Sequence, residues 1–241
     1  PADAVLTCAL PEIVLESQVS GGREPYILQW TSSQGAMLGS ESLLDVETPG
    51  IYVLTATGAN GISASTSVEV GQDIEPPSVT VASSGELTCA VTEIALSSAV
   101  TGGRAPFVYQ WTNEDGSIVG SESGFRASEP GEYALSVTGS NGCSDSATIV
   151  VAQDITPPVI ATAVDGVLTC SVSEVTASAV ASGGRAPYAF TWLNSAGQEV
   201  GDNDSLPVSD PGVYTVIVIG GNGCSSAATI DVEQDIEPPV V

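Results

Sequence analysis

The sequence has no histidine and no lysine, four arginines, one methionine and only 5% aromatic residues. The missing histidine and the scarcity of cations each remove a class of function. Without histidine there is no Ser-His-Asp or Cys-His nucleophile and no imidazole metal site. Four cationic side chains against 29 acidic ones leave a net charge of −25. Such a chain cannot displace counterions from phosphates, which argues against nucleic acid and anionic membrane surfaces as partners. No apolar run approaches the roughly 18 residues of a spanning helix, so no membrane insertion is expected. Charged residues make up only 14% and hydrophobic residues 42%. That is enough apolar surface to offset ordering entropy, and it argues against disorder.

What is present is a repeat. Gly-Gly-Arg falls at Gly21-Gly22-Arg23, Gly102-Gly103-Arg104 and Gly183-Gly184-Arg185, and the tryptophans are Trp30, Trp111 and Trp192. Pro-Gly-x-Tyr ends at Tyr52, Tyr133 and Tyr214. Gln-Asp-Ile, followed after one residue by Pro-Pro, begins at Gln72, Gln153 and Gln234. All recur at a spacing of 81 without insertion or deletion, and a fixed period sets the domain count before any other argument. The domains expected are residues 1–75, 76–156 and 157–237, with 238–241 starting a further repeat. Residue 1 aligns with Ala82 and Val241 with Val79, so the sequence reads as a piece of a longer array.

Within the middle repeat the hydrophobic pattern has period two. Tyr133, Leu135 and Val137 alternate with Ala134 and Ser136, and Ile94 and Leu96 alternate with Ala95 and Ser97. Ala147, Ile149 and Val151 share one face. Val150 is expected to face solvent, because its counterparts are Glu69 and Asp231. Half-buried antiparallel strands produce this alternation. Gly102-Gly103, Pro130-Gly131 and Asn141-Gly142 supply turns, the last a hairpin signal. No segment has a helical period of useful length. An all-β fold of three tandem immunoglobulin-like β-sandwiches in an extended array is expected, with Trp in the core and Tyr placed as a tyrosine corner.

Cys89 and Cys143 recur as Cys170 and Cys224. Two identically spaced pairs in an acidic, exported-looking chain predict a disulfide within each of the second and third repeats, tying its first strand to its last. In the first repeat the partner position holds Ile62. Cys8 is therefore expected to be an unpaired thiol, either a small buried core residue or a handle for cross-linking.

The combination Gly-Gly-Arg-Ala-Pro, Trp, Pro-Gly-x-Tyr and Gly-x-Asn-Gly-Cys, running from Gly102 to Val151 and over equivalent stretches, resembles the SprB-type repeat of Bacteroidota gliding adhesins and related giant surface proteins. The resemblance implies an exported, often adhesive cell-surface protein and no catalytic residues. Cys89, Cys170 and the Gln-Asp-Ile-x-Pro-Pro linker lie outside that signature. Asp145-Ser146-Ala147 and Asp204-Ser205-Leu206 resemble the O-glycosylation motif of that phylum.

Two acidic positions recur in all three repeats: Glu12, Glu93 and Glu174, and Asp73, Asp154 and Asp235. A carboxylate pair can hydrolyse glycosides, but one repeated in three structural units is architecture, and the chain is not expected to be an enzyme. The aspartates precede the Pro-Pro junctions and are candidates for junctional Ca2+. The competing expectation is a salt bridge to the repeated arginine, among Arg23, Arg104 and Arg185 with Glu12, Glu93 and Glu174. For Arg104 the expected partner is Asp154 or Glu93. Each Pro-Pro fixes φ and keeps the short linker extended. The expected function is a structural and adhesive repeat region of a large extracellular cell-surface protein, acting as a stiff stalk. A segment of an extracellular filament and a glycan-binding module are the alternatives. Partners expected are neighbouring repeats, other copies of the chain and surface glycans.

Overall fold

The computed structural model describes residues 4–237; the expected start of a further repeat at 238–241 lies outside them. Among the described residues every regular element is a β-strand, and no helix is long and apolar enough to cross a membrane. The chain divides into two compact units. The first comprises Pro1–Ala82, Ser97–Phe125 and Tyr133–Ile149, and the second Ser83–Leu96, Arg126–Glu132 and Val150–Val241. The division crosses the middle repeat, so each unit holds one outer repeat and part of the middle one.

In the second unit the third repeat forms an Ig-like sandwich. One sheet orders the strands Val159–Val164, Val175–Ser182 and Ser205–Val208. The other orders Glu199–Gly201, Ala189–Leu193, Gly212–Ile219 and Ser225–Val232. Alternate residues face inward, and Val175, Ala177, Trp192, Leu206, Val216, Val218 and Val232 make the core. A short strand, Leu168–Thr169, runs parallel to Gln234–Asp235 with Thr169 opposite Asp235. In the first unit the first repeat has a five-stranded sheet, ordered Ala4–Thr7, Ser63–Asp73, Gly50–Thr57, Ile27–Ser32 and Met37–Gly39, and a strand pair, Ile13–Glu16 with Leu43–Val46, around a core of Leu6, Leu15, Trp30, Val46, Leu54 and Val70. Its strand Ala4–Thr7 runs parallel to Ser63–Asp73 with Thr7 opposite Asp73.

The sequence pattern predicts these faces well. Tyr133, Leu135 and Val137 are buried, while Val150 is 68% exposed as its acidic counterparts require. The three tryptophans are buried, and each indole N–H donates to a carbonyl: Trp30 to Glu41 at 3.1 Å, Trp111 to Glu122 at 3.0 Å and Trp192 to Asn203 at 2.9 Å. Burial with a satisfied donor is what a large aromatic core residue needs, and it removes these rings from any sugar-binding face. The tyrosine corner is present as well. Tyr52 donates to Thr48 O at 2.7 Å and Tyr214 to Asp210 O at 3.0 Å.

Gly-Gly-Arg is a turn, as its composition predicts. Gly103 has φ +63°, and a Cβ there would lie 2.7 Å from Pro77 N; Gly184, at φ +58°, faces Pro158 N in the same way at 3.0 Å. The second glycine therefore serves a left-handed conformation and a close backbone approach together.

Candidate functional site

The disulfides differ from the expected pairing. Cys8 bonds Cys143 and Cys89 bonds Cys224, each pair separated by 135 residues with Cα atoms 5.0 Å apart, while Cys170 is free and exposed. Cys8 is thus not the unpaired thiol, and no bridge joins Cys89 to Cys143 or Cys170 to Cys224. The reason is visible in the third repeat. Cys224 stands just before the strand Ser225–Val232, whereas Cys170 follows a strand that pairs with Gln234–Asp235, beyond the other end. Eight residues of strand span about 26 Å, and a disulfide needs Cα atoms within about 7 Å. The bridges therefore join one repeat to the next.

Around Cys143 the sequence Gly139-Ser140-Asn141-Gly142-Cys143 forms a closed turn, with Gly139 N–H donating to Cys143 O at 2.8 Å and Gly142 N–H to Gly139 O at 2.9 Å. Only Gly142, at φ +78°, takes a positive φ; Asn141 has a different task. Its side chain is 3% exposed. The amide donates to Asp73 Oδ1 at 3.1 Å, Glu75 O at 3.0 Å and Asp73 O at 3.4 Å. Its Oδ1 accepts from Cys143 N–H at 3.2 Å, and its backbone carbonyl accepts from Ala9 N–H at 3.2 Å. Every polar atom of this buried amide thus finds a partner, which burial demands. The other Asp73 oxygen, Oδ2, lies 2.7 Å from the Arg104 guanidinium.

The second unit repeats the arrangement. Asn222, 1% exposed, donates to Asp154 Oδ1 at 3.0 Å and Thr156 O at 2.9 Å, and its carbonyl accepts from Ala90 N–H at 3.3 Å. Arg185 meets Asp154 at 3.0 Å and also Glu86 at 2.6 Å. The Glu86 hydrogen bond and charge raise the Arg185 pKa further above its ordinary value, against a smaller opposing effect of burial, with Asp154 adding to the rise.

The repeated arginine therefore pairs with the aspartate at the end of the preceding repeat. Arg104 meets Asp73 rather than Asp154 or Glu93, and Glu93 is taken by Arg126 at 2.8 Å. Arg23, Glu12 and Glu174 form no ion pair among the described residues. Both carboxylate oxygens of Asp73 and of Asp154 face nitrogen donors. No group of three or more His, Cys, Asp and Glu poised for a metal ion occurs among the described residues.

Sequence reasoning missed the role of Asn141 and Asn222. The signal available was that Asn, unlike Cys, occupies this position in every repeat, as Asn60, Asn141 and Asn222. The first repeat forms the same turn. Gly58 N–H donates to Ile62 O at 3.0 Å, closing the same loop, yet Asn60 and Ile62 are exposed.

No protein-family model matches the chain, and no curated protein matches it in sequence. Solved structures match in fold. A calcium-stabilised adhesin with which an Antarctic bacterium reaches out and binds ice superposes with TM-score 0.53 at 15% identity, covering 97% of this chain and 71% of that one. A 1.5-MDa bacterial ice-binding adhesin, studied for host cell-surface retention, gives TM-score 0.51 at 12% identity, covering 97% and 95%. The eight N-terminal Ig domains of Down syndrome cell adhesion molecule give 0.42 at 17%, covering 98% and 35%. At these identities the likeness is one of fold: tandem Ig-like β-sandwiches.

Proposed function

We propose that this chain is part of the extracellular repeat region of an adhesive cell-surface protein, in which Ig-like repeats at 1–75, 76–156 and 157–237 are locked in series to act as a stiff spacer. The observation that carries this reading is the junction. Twice, at the same 135-residue separation, a disulfide, a buried asparagine and an arginine–aspartate pair join one repeat to the next. A joint fixed at three points resists bending, whereas a bare linker does not. The two disulfides support an oxidising, extracellular compartment, in keeping with the surface proteins that share the fold and with the resemblance to SprB-type repeats. The acidic surface suits a self-repelling, soluble stalk. Ser146 and Ser205 are both exposed and available to the glycosylation proposed from their motifs.

Small-angle scattering on the oxidised protein tests the spacer. A compact particle of this length has a radius of gyration near 18 Å, and three domains in line give roughly twice that. The spacer reading requires the larger value, with flexibility increasing on reduction. A compact particle, or a profile unchanged by reduction, overturns it.

A further inference from the structure

Among the described residues the receiving half of the junction occurs three times, and the inserting half occurs with a cysteine twice. In each repeat the cysteine follows a short strand paired in parallel with Gln-Asp: Leu6 and Thr7 with Gln72 and Asp73, Leu87 and Thr88 with Gln153 and Asp154, Leu168 and Thr169 with Gln234 and Asp235. The cysteine-bearing turn is also built alike. Thr88 Oγ1 accepts from Ala90 and Val91 N–H at 3.2 and 3.0 Å, and Thr169 Oγ1 from Ser171 and Val172 N–H at 3.2 and 3.0 Å. Cys8 and Cys89 are oxidised on this platform, each to the Asn-Gly-Cys turn of the following repeat. Cys170 stands on the same platform as an exposed thiol, with Asp235 exposed beside it in the register of Asp73 and Asp154.

We propose that Cys170 and Asp235 form a covalent docking site for a further Ig-like repeat of this design, one bearing an Asn-Gly-Cys turn and a Gly-Gly-Arg loop. The incoming cysteine bonds Cys170, the incoming arginine and asparagine engage the Asp235 carboxylate, and the asparagine carbonyl accepts from Ser171 N–H, as Asn141 does from Ala9 and Asn222 from Ala90. Two thiols lose two protons and two electrons to form the bond. A disulfide oxidant such as oxidised glutathione takes them and is reduced to two thiols. The site selects a glycine after the asparagine, because a Cβ on Gly142 or Gly223 would reach within 2.7 Å of Ala9 N or 2.9 Å of Ala90 N. The first repeat of this chain carries Arg23, Asn60 and Gly61 but Ile62 in place of cysteine, so a second copy lacks only the thiol. The inference rests on the junction geometry and is independent of the spacer reading.

The test restores that thiol. Ile62 is 71% exposed, and Ile62→Cys in the full chain should turn one copy into the plug for another. In a glutathione redox buffer the variant is expected to give a ladder of reducible oligomers, while the unmodified chain stays monomeric. Peptide mapping should place each link between the introduced thiol of one copy and Cys170 of the next. Adding Cys170→Ser should abolish the ladder, and adding Asp235→Ala should slow it severalfold. Ser63→Cys, one residue out of register, should link at least tenfold more slowly. Retention of Cys8–Cys143 and Cys89–Cys224 in the same digests reports that the variants are folded. Symmetric dimers, joining two Cys170 thiols or two introduced thiols in place of the mixed link, overturn the proposal. Equal linkage by the Ser63→Cys variant, or a ladder indifferent to Asp235→Ala, does the same. So does the absence of linkage in a sample with both native disulfides intact.

Discussion

Gly61 and Gly142 occupy the same turn position in successive repeats, at φ +76° and +78°, and differ in what lies beyond the turn. A Cβ on Gly61 meets nothing within 4 Å, whereas one on Gly142 meets Ala9. Gly61→Ala should therefore cost only the left-handed strain, about 1–2 kcal/mol. Gly142→Ala should cost that and a further ~1–3 kcal/mol of overpacking. Urea unfolding midpoints of the two variants measure the difference, and equal losses would mean that the Asn-Gly-Cys turn is not clasped by Ala9. Tyr214 makes a separate prediction. Burial raises its pKa above the ordinary 10.0, and the charge of Asp210 adds to the effect. A phenol whose folded pKa is raised contributes stability that is intact below the unfolded pKa and is lost as pH rises through the folded one. Stability should thus fall in alkali above about pH 10, and Tyr214→Phe should flatten that loss in denaturant titrations across the alkaline range.

At the scale of elements, the sheet of Val159–Val164, Val175–Ser182 and Ser205–Val208 in the third repeat shows how alternation sets the cost of a substitution. Val159–Val164 pairs antiparallel with Val175–Ser182 over six residues, and Val175–Ser182 pairs with Ser205–Val208 over four. Leu206 lies on the inward face at 5% exposure, whereas Val180 faces solvent at 66%. Leu206→Ala should cost about 2–5 kcal/mol, while Val180→Thr should stay within about 0.5 kcal/mol. Urea unfolding midpoints compare the two variants, and equal losses would contradict this assignment of the faces.

At the scale of the whole molecule, the disulfides close loops far longer than the 53-residue ones that bridges within a repeat would close. On the chain-entropy model a loop of this length, 135 residues in sequence separation, contributes about 5 kcal/mol. Cys8→Ser should lower the stability of the first unit and Cys89→Ser that of the second, each by a few kcal/mol and each leaving the other bridge in place. Non-reducing peptide mapping with two-probe unfolding curves checks both. Recovery of a Cys89–Cys143 peptide from the unmodified protein would contradict the junction outright.

The sequence by itself determined the period of 81, the all-β character, the inward and outward faces of the strands, the buried tryptophans, the tyrosine corner and the Gly-Gly turn. All of these follow from local rules: alternation, turn chemistry and the cost of burying an unpartnered polar group. Only the tertiary structure decided which cysteines meet, which carboxylate Arg104 and Arg185 find, and why Asn141 and Asn222 stand where they do. A period-two pattern states which side of a sheet a residue occupies and is silent on which end of the sandwich it reaches. Cys170 and Cys224 look like a pair along the chain, yet they stand at opposite ends of an eight-residue strand, and a disulfide spans only the distance between neighbours.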